Sequence, residues 1–286
     1  MRLISRLIVL LAALLPGLLA PPALAADVDF PAPDTAVNEF GITTYLDLAR
    51  HFVTDIKPSD SGYVGTTRIP VRHIAGKDYD NDGLKSFGFY DISTVRMKAN
   101  GKDRLLVLFD FAQAAKSAQG VAVLALYDVT MQIKLLDAAD IGFDQSTYFF
   151  DQALVPIAPD SDAILTMSTH FNSNQTYTMQ SILMVQHDRL QLVDKAFLFN
   201  ERLCAIERQQ NIHYAADPGA AKPYAPIVVT VTETATPTGE TCETAEKPIA
   251  ESRDIRVVHE WNAAAAKYIR DSDALEKLAD ANEQRF

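Results

Sequence analysis

The hydrophobic positions follow two periods along the chain. Over residues 42–56, apolar side chains fall at Ile42, Tyr45, Leu46, Leu48, Ala49, Phe52, Val53 and Ile56. That spacing predicts an amphipathic helix of about four turns, stopped by Lys57-Pro58. From residue 68 onward the period drops to two. Residues 68–74 alternate apolar and polar, and residues 87–98, 104–111 and 120–128 are rich in aromatic and β-branched side chains. Ala99-Asn100-Gly101-Lys102 supplies a turn between two of these runs. Leu105-Leu106-Val107-Leu108-Phe109 is apolar at every position, as expected of a central strand covered on both faces.

Further strands are predicted over 134–138, 154–158, 163–169, 180–187, 190–199, 227–236 and 255–260, and the pieces 163–169, 177–186 and 191–199 read as a meander. Asp273-Ala274-Leu275-Glu276 starts a short, weakly apolar helix ending near Asn282. Between the strands, residues 208–226 show no period and contain Asp217-Pro218-Gly219, which predicts a long surface loop. The expected fold is mainly β: antiparallel sheets, sandwich-like or strongly curved, with one N-terminal amphipathic helix and a short C-terminal helix.

The first 25 residues have a different character. Arg2 and Arg6 precede an apolar run over 7–19, and Ala23-Leu24-Ala25 offers a cleavage site before Ala26. This is the pattern of a signal peptide, leaving a single domain over 26–286 that is periplasmic or secreted. A membrane anchor fits less well, because Pro16, Pro21 and Pro22 interrupt or end the run, so no transmembrane segment is expected after cleavage. The chain carries a net charge of −11, and losing Arg2 and Arg6 takes it to −13. An exterior this acidic repels phosphate backbones, which disfavours nucleic-acid partners. Cys204 and Cys242 are the only cysteines, and in an oxidising compartment they are expected to form a disulfide.

Three groups of residues carry candidate chemistry. Residues 78–83 read Asp-Tyr-Asp-Asn-Asp-Gly, so Asp78, Asp80 and Asp82 stand at alternate positions before a glycine, as in the first half of a calcium loop. The glutamate that closes such a loop at position twelve is replaced by Phe89, and the competing reading is an Asx-rich turn. Second, Ser168-Thr169-His170-Phe171-Asn172-Ser173-Asn174-Gln175 places an imidazole and two amides, His170, Asn172 and Asn174, at a hairpin tip where a ligand could be held. Third, Asp137, Asp140 and Asp144 are spaced to share a face if helical. No nucleophile elbow, His-Glu-x-x-His or phosphate-cradling loop occurs. Trp261 reads as a core anchor at a closing hairpin, with sugar stacking as its rarer use.

The sequence therefore predicts an exported cell-envelope protein that binds or supports rather than catalyses. Two alternatives follow from the candidate residues: an extracytoplasmic hydrolase acting on a polymer through His170 with Asp140 or Asp144, and a calcium-stapled β module. His170 and two carboxylates within hydrogen-bond reach around one pocket is the feature that separates the first alternative from the binding reading.

Overall fold

The computed structural model describes residues 27–39, 41–60, 62–79, 84–113, 120–219, 223–239 and 249–285. It is mainly β, with three antiparallel sheets in which every strand pairs only with its sequence neighbours. The smallest sheet holds β1 (Lys57–Ser59), β2 (Gly62–Gly65) and β3 (Phe87–Phe89). The second holds β4 (Ser93–Ala99), β5 (Lys102–Gln113), β6 (Gly120–Asp128) and β7 (Lys134–Asp140). The third is an eight-stranded meander of β8 (Ser146–Ala158), β9 (Ser161–Asn172), β10 (Gln175–Gln186), β11 (Arg189–Arg202), β12 (Ile206–Ala215), β13 (Ile227–Pro237), β14 (Glu251–Asn262) and β15 (Lys267–Arg270). The expected meander over 163–199 is β9 to β11.

The apolar run in β5 works as predicted. Leu105, Val107, Phe109 and Phe111 face a core shared with the small sheet and the N-terminal segment. Leu106 and Leu108 face the opposite way and pack with Leu154, Ile164 and Leu183 of the large sheet. The two sheets thus form a sandwich. The turn from β4 to β5 is a two-residue hairpin with Asn100 at φ 51° and Gly101 at φ 75°, the left-handed pair that matches strand twist. A third core lies on the other face of the large sheet. There Val155, Leu165 and Ile182 meet Val229, Val231 and Val257, so strands from both halves of the sheet cover a common interior. Strong curvature follows from that packing.

Three predicted elements differ from the structure. The stretch 42–56 contains one short helix, α1 (Tyr45–Ala49), capped by Thr44 and Asp47 in a capping box. Beyond it the chain turns: the amide of Phe52 reaches back to Ala49, Val53 bridges Arg68, and Phe52, Val53 and Ile56 are buried by these turns rather than by a helix. Ile42 is 97% exposed and belongs to no stripe. Residues 68–74 make only isolated bridges, at Arg68 and His73. Pro70 has no N–H to give a ladder, and Arg68 and Arg72 turn to Asp140 and Asp137.

The predicted loop over 208–226 is largely a strand. β12 pairs with β13 from Ile206–Pro237 to Ala215–Val228. Its burial alternates, with Gln210 and Tyr214 buried and their neighbours exposed. The period of two is present, but an inward position is filled by a glutamine, so hydropathy does not display it. β12 also departs from β11: the two pair only at Glu201–Arg208 and Arg202–Glu207. The C-terminal helix α2 (Ala274–Glu283) packs along β11, with Leu275 and Leu278 in the third core and Asn282 fully buried. Among the described residues no helix is long and apolar enough to cross a membrane.

Candidate functional site

The register of β9, β10 and β11 sets one row of side chains. His170 lies opposite Tyr177, which lies opposite Phe199; Ser168, Met179 and Phe197 form the next row, and Ser181 and Lys195 pair beyond it. Directly opposed residues share a face. This face belongs to the sandwich core at its far end, and it emerges beside the link from β7 to β8 and beside α2. The result is a cleft of about 650 Å³. Its floor is apolar, from Phe143, Tyr177, Met179 and Phe197, with Leu275 and Ala279 on the α2 side.

Around the floor stand charges of both signs. His170 stacks on Tyr177 with ring centroids 4.3 Å apart and planes within 5°. Its Nδ1 is 2.6 Å from Oδ2 of Asp144, a residue only 7% exposed. Asp144 is an acceptor, so Nδ1 carries the proton and Nε2 is the nitrogen left for a ligand. On the second side, Lys195 Nζ donates to Tyr79 Oη at 2.6 Å and lies 4.8 Å from the Tyr79 ring and 5.3 Å from the Phe143 ring. The two rings and the hydroxyl fix the ammonium, and Nζ keeps two further protons to donate.

On the third side, Asp194 Oδ2 accepts from the buried His259 Nε2 at 2.7 Å, and Arg270 approaches Asp194 at 3.9 Å while it pairs with Glu276. The hydrogen bond that Arg270 donates to Glu276 raises the guanidinium above its ordinary value. Glu276, Asp280 and Glu283, spaced four and three apart on α2, complete an acidic wall. A β-bulge between Ile182 and Leu183 of β10, opposite Leu192 to Asp194, lies beside this wall. Bulges re-aim side chains, and this one precedes the charged pair Asp194-Lys195.

The sequence-predicted residues scatter more than their spacing implied. His170 and Asp144 meet in the cleft. Asn172 and Asn174 do not line it: Asn172 is exposed, and Asn174 borders a separate shallow depression with Glu201 and Arg208. Asp140 is a structural clamp, 2% exposed, whose Oδ1 accepts from the amides of Ala122 and Gly142 and whose Oδ2 accepts from Arg68. Asp137 holds Arg72 and the amide of Leu190. The shared helical face of Asp137, Asp140 and Asp144 does not exist, because β7 is a strand. Trp261 is half-buried, edge-on to Tyr224 and Tyr268 in the β14–β15 hairpin, away from the cleft.

Of the aspartate loop, Asp78 lies in a single 3-10 turn (Lys77–Tyr79), and Asp80 and Asp82 fall outside the described residues. Among the described residues no three His, Cys, Asp or Glu side chains form a metal cluster. Cys242 is likewise outside the described residues.

Asp194, Lys195, Arg270 and the acids of α2 were not singled out in the sequence. The available signal was two adjacent charges, Asp194 and Lys195, inside the mostly apolar stretch 190–199. Compared with known protein families, characterised proteins and solved structures, the chain matches none.

Proposed function

We propose that this is an exported, non-catalytic binding protein of the cell envelope, and that its ligand is a zwitterionic small molecule with an apolar body, such as a short peptide. The observation that carries this reading is the juxtaposition of an apolar floor with fixed charges of both signs in one cleft: the Lys195 ammonium, Asp144 beside His170, and the α2 carboxylates with Arg270 paired among them. Pockets of this kind hold a ligand by apolar contact and orient it by a few placed polar groups. The leader and the acidic exterior support export. A catalytic reading has one observation in its favour, the Asp144–His170 pair, which has the geometry of an oriented general base. Against it, among the described residues Asp144 is the one carboxylate paired with His170, Asp140 serves the sheet instead, and no Ser, Thr or Cys lines the cleft.

Calorimetric titration with trileucine, and with its N-acetylated, C-amidated form, tests the proposal. The zwitterion is expected to bind saturably, the capped form at least tenfold more weakly, and Lys195→Met to weaken the zwitterion by a similar factor. The absence of saturable heat would overturn the reading. Cleavage of the peptide that His170→Ala abolishes would replace it with the hydrolase.

A further inference from the structure

A second pocket, of about 520 Å³, opens where the layer between the two large sheets reaches its edge, bounded by β3, β4, β5 and β8. Its rim carries three exposed rings: Phe30 at 69%, Tyr90 at 71% and Tyr148 at 41%. Large aromatic side chains cost free energy when left in water, and three around one opening call for an occupant. The pocket is also lined by two carboxylates, Asp91 at the surface and Asp110 on β5, and by no cationic side chain among the described residues.

Asp110 is the unusual member. Its Oδ2 accepts from the amide of Thr147 at 3.3 Å, while its Oδ1 is buried without a hydrogen-bond partner. Among the described residues nothing uses that oxygen, in contrast to Asp140, whose two oxygens are both engaged. A buried acceptor left unmade is costly unless a ligand completes it.

We infer that this pocket binds an organic ammonium group, held against the faces of Phe30, Tyr90 and Tyr148 and paired with the carboxyl of Asp110. Ring faces are negative and attract a cation, and the two carboxylates give the pocket one sign. The site is separate from the cleft of His170 and does not rest on the function proposed for that cleft.

The groups that face Asp110 make binding depend on pH. Asp140 on β7 and Asp91 before β4 add negative charge, Tyr90 and Tyr148 are neutral phenols, no cationic side chain lines the pocket among the described residues, and Arg68 is paired with Asp140. Burial pushes the Asp110 carboxyl up to about 7, with the Thr147 amide opposing and Asp140 reinforcing. At neutral pH the pocket is therefore poised between acid and carboxylate, and a cation selects the carboxylate and releases the proton.

The test is titration of the full protein with benzylammonium chloride, whose N–H groups can complete Asp110 Oδ1, and with its neutral isostere, ethylbenzene. The cation is expected to bind and the neutral compound at least tenfold more weakly. Affinity should fall about fivefold from pH 7 to pH 6, with a binding heat that varies with the ionisation enthalpy of the buffer. Asp110→Asn should reduce affinity at least tenfold and remove the pH dependence, with its melting temperature showing that it folds. Tyr148→Ala should weaken binding while leaving the pH dependence in place. Equal affinity for the two compounds, or an unaffected Asp110→Asn, would overturn the inference.

Discussion

Gln210 and Asn282, 72 residues apart, exchange two hydrogen bonds: Gln210 Nε2 donates to Asn282 Oδ1 at 2.8 Å, and Asn282 Nδ2 donates to Gln210 Oε1 at 2.9 Å. Both side chains are nearly inaccessible, at 2% and 0% exposure. Each also reaches the open edge of β11, where Gln210 Oε1 accepts the amide of Phe199 and Asn282 Nδ2 donates to the carbonyl of Phe197. The separation of β11 from β12 would leave those backbone groups dry and unpaired, and the amide pair closes the gap. It also anchors α2, which forms one wall of the cleft.

Asn282→Ala should accordingly destabilise the protein by about 2–3 kcal/mol, because it strands buried groups on both β11 and β12. Urea unfolding measures this. The double variant with Gln210→Ala should cost less than the sum of the two single changes, since the residues share one network. Trileucine affinity should fall with Asn282→Ala as the α2 wall loosens. An unchanged unfolding midpoint would mean that the helix is not docked through this pair.

The same interior holds a charge network with a pH signature. Glu233, 5% exposed, receives Arg208, Arg253 and Arg285 at 3.0–3.4 Å and the amide of Gln210. Burial alone raises its carboxyl, but the Gln210 hydrogen bond and the three guanidinium groups outweigh burial and hold it below the ordinary glutamate range. A depressed folded value means stability that is complete above about pH 4.5 and lost as pH falls below it. Asp110 has the opposite sign. Its carboxyl is raised from 3.8 to about 7, so stability present below pH 4 is lost as pH rises toward 7, by about 4 kcal/mol at ~1.4 kcal/mol per unit. Thermal melts across pH should therefore peak in the mildly acidic range. Asp110→Asn should flatten the decline toward neutrality. Glu233→Gln should flatten the acid limb and cost about 2–3 kcal/mol near neutral pH, less than a fully enclosed pair because Arg253 remains 58% exposed to water. Limbs that ignore both substitutions would contradict the assignment.

What the sequence displayed, and what it hid, follows from how each position is satisfied. β5 was legible because Leu105 to Phe109 meet apolar neighbours on both sides, and apolar burial is written directly in hydropathy. β12 was hidden because Gln210 is satisfied by amides and a carboxylate from α2, β11 and β13, none of which lies nearby in sequence. At residues 42–56 the apolar spacing was real, but burial through α1 and successive turns meets the same spacing as a longer helix. In the cleft, His170 stood out as an imidazole amid polar turn formers. Its partner Asp144 was named only among several acids, since separation in space is not a property of one strand. Asp194 and Lys195 became site residues through a bulge and through β14, β15 and α2, which are long-range facts.

The sulfur bridge is expected from a backbone contact. Thr238 donates its amide to the carbonyl of Ala205 at 3.0 Å and its hydroxyl to the carbonyl of Cys204. The chain thus returns beside Cys204 four residues before Cys242, within the reach of an extended tetrapeptide. Non-reducing peptide mapping of exported protein should recover the two cysteines in one linked pair. Replacing both with serine should lower stability by about 3–4 kcal/mol, the loop-closure contribution for a step of this length. Titration of two free thiols in the folded, oxidised protein would remove the bridge.

Calcium binding by Asp78, Asp80 and Asp82 is expected to register in the cleft. The turn that begins this loop ends at Tyr79, which stacks on His73 at 5.1 Å and accepts the hydrogen bond of Lys195. An ion that draws the loop's carboxylates together acts on Tyr79 through the backbone it shares with Asp78. If the loop is a native-state site, calcium at a hundredfold excess over its dissociation constant should stabilise the fold by about 2.7 kcal/mol, and chelator should reverse the gain. Asp80→Asn, which removes one oxygen charge and leaves the turn chemistry intact, should abolish the effect. Trileucine affinity measured with calcium and with chelator then reads the link to Lys195, because a shift in Tyr79 alters the ammonium that meets the peptide carboxylate. Identical melting curves with calcium and with chelator would leave residues 78–83 as a turn and nothing more.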